Sequence, residues 1–234
     1  MNLPSTFQRT IFYKGEDAVR RLGELGLTLQ ILERVVQAGE AGRANATDND
    51  PVTAAGSDAY RYRVRALRDV LVRPPYNWTK HTIEGLEFTV SPSGQGIVTR
   101  AGDAAVCIEE ASPQFSRSAG DAARHVVDVR AVVPLFLDPS WWNKPRSAAA
   151  AEVAQATELK LVTWYLLVHP VGDSVACELS RPTAIDDHGQ VEGWLERIAL
   201  PMLHLDAAPR QTDLESTPAT ADVVVERKRH GGSR

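Results

Sequence analysis

The stretch TWYLLVHPVGDSVACELSRP, residues 163–182, limits the architecture more than any other part of the chain. Two apolar runs with a period of two flank a Val171-Gly172 pair, and a β-hairpin satisfies both runs at once. With the turn centred there, Trp164, Leu166 and Val168 oppose Leu179, Cys177 and Val175 on one face, which is the expected core. The other face sets Thr163, Tyr165, Leu167 and His169 against Ser180, Glu178, Ala176 and Ser174. This mixed set is expected to be partly open. Tyr165, His169 and Glu178 are the types of side chain that perform acid–base chemistry, yet they are also ordinary cross-strand neighbours.

Further strands are expected around this hairpin. Phe88–Val90, the turn formers Ser91-Pro92-Ser93-Gly94, and Ile97–Thr99 read as strand, turn and strand, with residues 105–108 as a third strand of a meander. Residues 126–137 are expected to be strand or extended, and residues 148–156 helix. The turn Asp186-Asp187-His188-Gly189 leads into residues 191–200. These read as a strand, although Val191, Trp194, Leu195 and Ile198 also fit helical spacing.

The N-terminal third has a different period. Ala18, Val19 and Leu22 form one apolar face, and Thr28 is placed to cap a second helix carrying Leu29, Leu32, Val35 and Val36. The two make an αα-hairpin joined through Gly23 and Gly26. The turn formers of ANATDNDPVTAAGS, residues 44–57, read as a loop. After it, Tyr60, Val64, Leu67 and Leu71 form a single helical stripe with Ser57 as the expected N-cap. The expected fold is therefore α+β, with N-terminal helices packed against a mainly antiparallel sheet. Residues 1–80 are the helical region, 81–206 a mainly antiparallel β region of the same unit, and 207–234 a polar linker with a loose basic tail.

Charge narrows the possible partners. There are twelve Lys and Arg against nine Asp and Glu in residues 1–80, nine against seventeen in 81–206, and five against four in 207–234. An acidic middle opposes a phosphate backbone spread over the whole surface. Arg61, Arg65 and Arg68 nevertheless share a line on the third helix, roughly 100° from its apolar stripe at 100° per residue. Such a ridge suits phosphate, since guanidinium presents a fork of donors. Trp78, Trp141 and Trp142 lie in Pro-bounded loops, where exposed indoles mark a partner surface and buried ones do not.

The segments AGEAGRANAT, VSPSG, TWYLLVH with VACELSRP, and GWLERIALP together resemble an uncharacterised family of bacterial hypothetical proteins often carried on mobile genetic elements. The resemblance covers roughly residues 15–206. It implies a bacterial cytosolic setting and assigns no activity or catalytic residues.

No Gly-rich phosphate loop, HExxH helix, GxSxG elbow or CxxC pair is present. Cys107 and Cys177, far apart and flanked by apolar residues, are expected as buried free thiols rather than a disulfide or metal site. No window approaches 18 uncharged apolar residues, and MNLPSTFQRTIFYKGED lacks the order of a secretory signal, so a cytoplasmic location without membrane contact is expected. The leading functional expectation is a non-enzymatic binding or accessory protein that needs no metal or cofactor. It would dock to a macromolecule, protein before nucleic acid, through Arg61, Arg65, Arg68, Trp78, Trp141 and Trp142. The rival is a metal-dependent, nuclease-like hydrolase. In it Asp138 and Glu158 hold the metal and Lys160 stabilises charge on the attacked phosphate.

Overall fold

In the computed structural model, which describes residues 9–83, 85–120, 123–124, 127 and 161–205, the chain opens on a short strand, β1 (Ile11–Tyr13), ahead of the helices. The hairpin of α1 (Gly15–Glu24) and α2 (Leu29–Ala44) follows. Ala18 and Leu22 of α1 and Ile31, Leu32, Val35 and Val36 of α2 are buried, as their spacing requires. Gly26 takes a left-handed φ of +74° between them, and Thr28 Oγ1 accepts a hydrogen bond from Ile31 N at 3.3 Å.

The third helix, α3 (Ala54–Leu71), begins three residues earlier than the cap expected at Ser57. Ser57 lies inside it, its N–H bonded to Thr53 O at 2.9 Å, because the chain has already turned at Pro51, whose carbonyl accepts from Ala54 N. The buried stripe of α3 runs through Ala59, Arg63, Val64, Leu67 and Leu71, so an arginine stands where the apolar pattern leaves a gap.

Seven further strands complete an eight-stranded sheet among the described residues: β2 (Thr79–Ile83), β3 (Leu86–Val90), β4 (Gln95–Ala101), β5 (Val162–Val171), β6 (Ser174–Ile185), β7 (Val191–Ala199) and β8 (Leu203–His204). Their order is β1-β7-β6-β5-β4-β3-β2, with β8 on β6. The fold is α+β, but the sheet is mixed rather than mainly antiparallel, since β1 runs parallel to β7 and β4 parallel to β5. Periodicity reports which face a residue takes and says nothing of which strand lies beside it, so the β4–β5 crossover is invisible to it. Residues 105–108 form turns and no third meander strand, with Cys107 at a φ of +66°. Residues 191–199 are strand. The segments 126–137, 148–156 and 207–234 lie outside the described residues, apart from Val127.

The β5–β6 hairpin has the expected faces in a shifted register. Leu166 pairs with Leu179 and Val168 with Cys177, and the two-residue turn is Gly172-Asp173. Gly172 has a φ of +58° at the first central position, where a type II′ turn places glycine. Because every partner moves by two residues, no side chain changes face. Trp164, Leu166, Val168, Cys177 and Leu179 pack with Ile97, Ile198 and the apolar sides of the three helices.

The opposite face is closed, contrary to its polar pattern. Tyr165, Leu167, Ala176 and Trp194 form a second core with Val98, Phe88 and, from the segment after β4, Val106, Phe115, Ala123 and Val127. Buried Arg197 fastens this segment to the sheet. It donates to Glu178 from Nε at 2.9 Å and Nη2 at 2.8 Å, and to the carbonyls of Ile108 and Ala111 from Nη1 at 3.1 and 2.6 Å. Cys107 N and Ser180 Oγ donate to the same carboxylate at 2.7 and 2.6 Å.

Candidate functional site

The basic ridge does not present three free guanidinium groups. Arg61 pairs with Asp58 at 2.9 Å and Arg65 with Asp69 at 3.6 Å, each an exposed pair within one turn of α3. Arg68 turns toward the sheet, where it meets Glu87 at 2.6 Å and donates to Phe88 O at 3.2 Å. Trp78 is 4% exposed and belongs to the helix-covered core, so it is no docking indole. Tyr165 and Glu178 are fully enclosed and form no open acid–base cluster. Trp141, Trp142, Asp138, Glu158 and Lys160 lie outside the described residues. Among the described residues no group of three or more His, Cys, Asp and Glu is placed to hold a metal ion.

A cavity forms instead on the inner side of α3. Strands β3 and β4 share only the pairs Thr89↔Ile97 and Val90↔Gly96, whereas β4 stays with β5 as far as Ala101↔Val168. The start of β3 and the end of β4 therefore part, and the Arg68 bond to Phe88 O lies just past the last rung. The opening, of about 550 Å³, is lined by Leu86 of β3, Val98–Ala101 of β4, Tyr60 and Arg63 of α3, Arg43 of α2, and Ser116 and Arg117. Those last two residues are held at the end of β4, where Ser116 N donates to Ala101 O at 3.0 Å and Phe115 bridges Gly102.

Four arginines, Arg43, Arg63, Arg100 and Arg117, are among the residues lining this space, and no Asp or Glu lines it among the described residues. Glu40 stands behind it. Its two oxygens accept from Arg43 Nε at 2.7 Å and Arg63 Nη1 at 3.1 Å, so one carboxylate serves two cations. Arg63 is 2% exposed, and burial pushes its guanidinium down to about 10, with Arg43 adding to the fall and Glu40 opposing it. It remains charged at neutral pH. Burial likewise lowers Arg100, which lies 4.6 Å from the Phe115 ring centroid and makes no salt bridge among the described residues. Arg63 Nε, Arg100 Nη1 and Thr99 Oγ1 are buried and find no hydrogen-bond partner among the described residues. Buried polar atoms left in this way are rare and costly, and they do not share one face, since Thr99 leaves β4 on the side of Leu166 and Arg100 on the side of Leu167.

Two glycines of α2 let α3 approach, Gly39 beneath Arg63 and Gly42 beneath Tyr62. A Cβ at Gly39 would overlap Arg63 Cγ, and one at Gly42 would lie 2.6 Å from Tyr62 Cδ2. Their absence lets α3 settle on α2 with the Arg63 stem across Gly39 and its head beside Glu40. Gly39→Ala is expected to lower stability by about 1–3 kcal/mol through overpacking, despite alanine's better helix propensity. Urea titration with a midpoint at or above that of the parent chain would show that the helices do not meet this way.

Sequence reasoning missed the four cavity arginines because they come from three separate stretches, residues 43, 63 and 100–117, which no local motif joins. Two signals were available: Arg63 one place from the apolar stripe of its helix, and glycines three apart inside α2. No protein-family model, curated protein or solved structure matches the chain.

Proposed function

We propose that the protein is a non-enzymatic binding protein whose recognition site is the arginine-lined cavity, and that it captures an anionic group there. Docking to a macromolecule, the expectation drawn from the sequence, rested on the α3 ridge and on exposed indoles. The described members of that set are paired with acids or buried, so the proposal moves to the other side of the same helix. The carrying observation is an opening lined by Arg43, Arg63, Arg100 and Arg117, with no Asp or Glu lining it among the described residues. An oxyanion accepts from arginine at charge-assisted strength, and a guanidinium fork matches its geometry. The cavity is also within the usual size range of small-ligand sites, about 300–1,000 Å³.

Inorganic phosphate tests this reading. At a concentration about a hundred times its Kd, phosphate should stabilise the fold by about 2.7 kcal/mol, which for a chain of this size is a rise in Tm of roughly 5–10 °C. Sodium chloride at matched ionic strength should not reproduce the rise. Arg100→Met removes a charged donor and should weaken phosphate binding about tenfold to a hundredfold. A phosphate response equal to that of chloride refutes the anion site.

A further inference from the structure

We infer that the anion is the terminal phosphate of a small organic phosphomonoester, with the organic body lying against Tyr60, Leu86 and Val98. This rests on the anion-binding reading above and goes further by naming the ligand class.

Depth is the first argument. Arg63 is 2% exposed and is packed against Gly39 and Glu40, so the opening has a buried wall and does not lie wholly on the surface. A phosphodiester in the middle of a nucleic-acid strand must enter and leave along a track. A terminal group needs only one opening. The outer side of α3 offers no such track, since Arg61 and Arg65 are each engaged by an acid on their own helix.

Charge is the second argument. With Glu40 already shared by Arg43 and Arg63, the residues lining the opening still carry an excess of positive charge, to which Arg100 adds without a salt bridge among the described residues. A phosphomonoester carries about −1.5 to −2 near neutral pH on one compact group with three acceptor oxygens. A simple carboxylate brings half that charge and only two oxygens. The third argument is the remaining wall. Leu86, Val98 and the half-buried Tyr60 line the same space without contributing charge. Apolar lining with a few convergent polar groups is how a site holds the body of a ligand while fixing its orientation.

Calorimetric titration of the full chain with four probes, adenosine monophosphate, inorganic phosphate, adenosine and citrate, tests the inference. Adenosine monophosphate is expected to bind at least tenfold tighter than phosphate, with adenosine undetectable and citrate weaker than either phosphate compound. Arg100→Met and Arg117→Ala should each weaken the monophosphate, and Arg20→Ala, in an exposed ion-pair cluster on α1, should not. Two separate variants guard against one of them misfolding. If phosphate binds and adenosine monophosphate binds no tighter, or if citrate binds best, the ligand class is wrong while the anion site stands. If no anionic probe binds, both fall together.

Discussion

Arg197→Met will lower the stability of the fold by roughly 3–5 kcal/mol, a large share of the 5–15 kcal/mol usual for a folded domain. Glu178 is 0% exposed, and without Arg197 it keeps, among the described residues, the Cys107 N–H and the Ser180 hydroxyl as donors. A carboxylate stranded in this way carries its desolvation penalty without compensation. The loss should also be visible at one thiol. Burial, with the Glu178 charge adding to it, pushes Cys107 up to about 12, so at pH 8 it is protonated and should resist alkylation. In Arg197→Met the carbonyls of Ile108 and Ala111 lose their donor, the segment loosens, and Cys107 should alkylate readily. The double variant Arg197→Met with Glu178→Leu should recover part of the stability, since replacing both members of a buried pair is far milder than removing one. A single variant within 1 kcal/mol of the parent by chemical denaturation would contradict this account of how the segment is held.

Phe115→Ala should cost about 3–5 kcal/mol, and its milder relative Phe115→Leu should impair the cavity while leaving the fold intact. Phe115 is buried, with its ring centroid 4.9 Å from that of Tyr165 and 6.5 Å from that of Trp194. The Arg100 guanidinium rests over the ring, 4.6 Å from its centroid. A cation over an aromatic face contributes roughly 0.5–2 kcal/mol, and here it also directs the head of Arg100. Leucine fills part of the space and offers no π face. Phosphate affinity in Phe115→Leu should therefore fall several-fold at a modest loss of stability. Unchanged affinity in a folded Phe115→Leu would mean that the ring does not seat the arginine.

What the amino-acid order discloses follows the range of each interaction. The faces of β5 and β6 are readable because alternation is a property of one strand, and a shift of two residues in partner leaves it untouched. The helical hairpin is readable for the same local reason. The parallel neighbours β4 and β5 are joined only after some sixty residues, and nothing in either strand names the other. Closure of the second face is equally hidden, because Val106 and Phe115 come from a segment with no regular period. The α3 ridge misleads for a different reason. Asp58 and Asp69 stand three residues before Arg61 and four after Arg65, so their neutralising role was legible in the helix spacing. The cavity was not, because its arginines come from α2, α3, β4 and the segment after it, and the opening forms only where β3 and β4 have separated.

That separation has an implication for how such a site changes over time. A recess made where two strands diverge has main chain for its foundation, and the alternating cores on either side secure that foundation independently of what faces the gap. Residues such as Arg117 and Ser116 are therefore at liberty to vary, and with them ligand preference, while the scaffold keeps its stability.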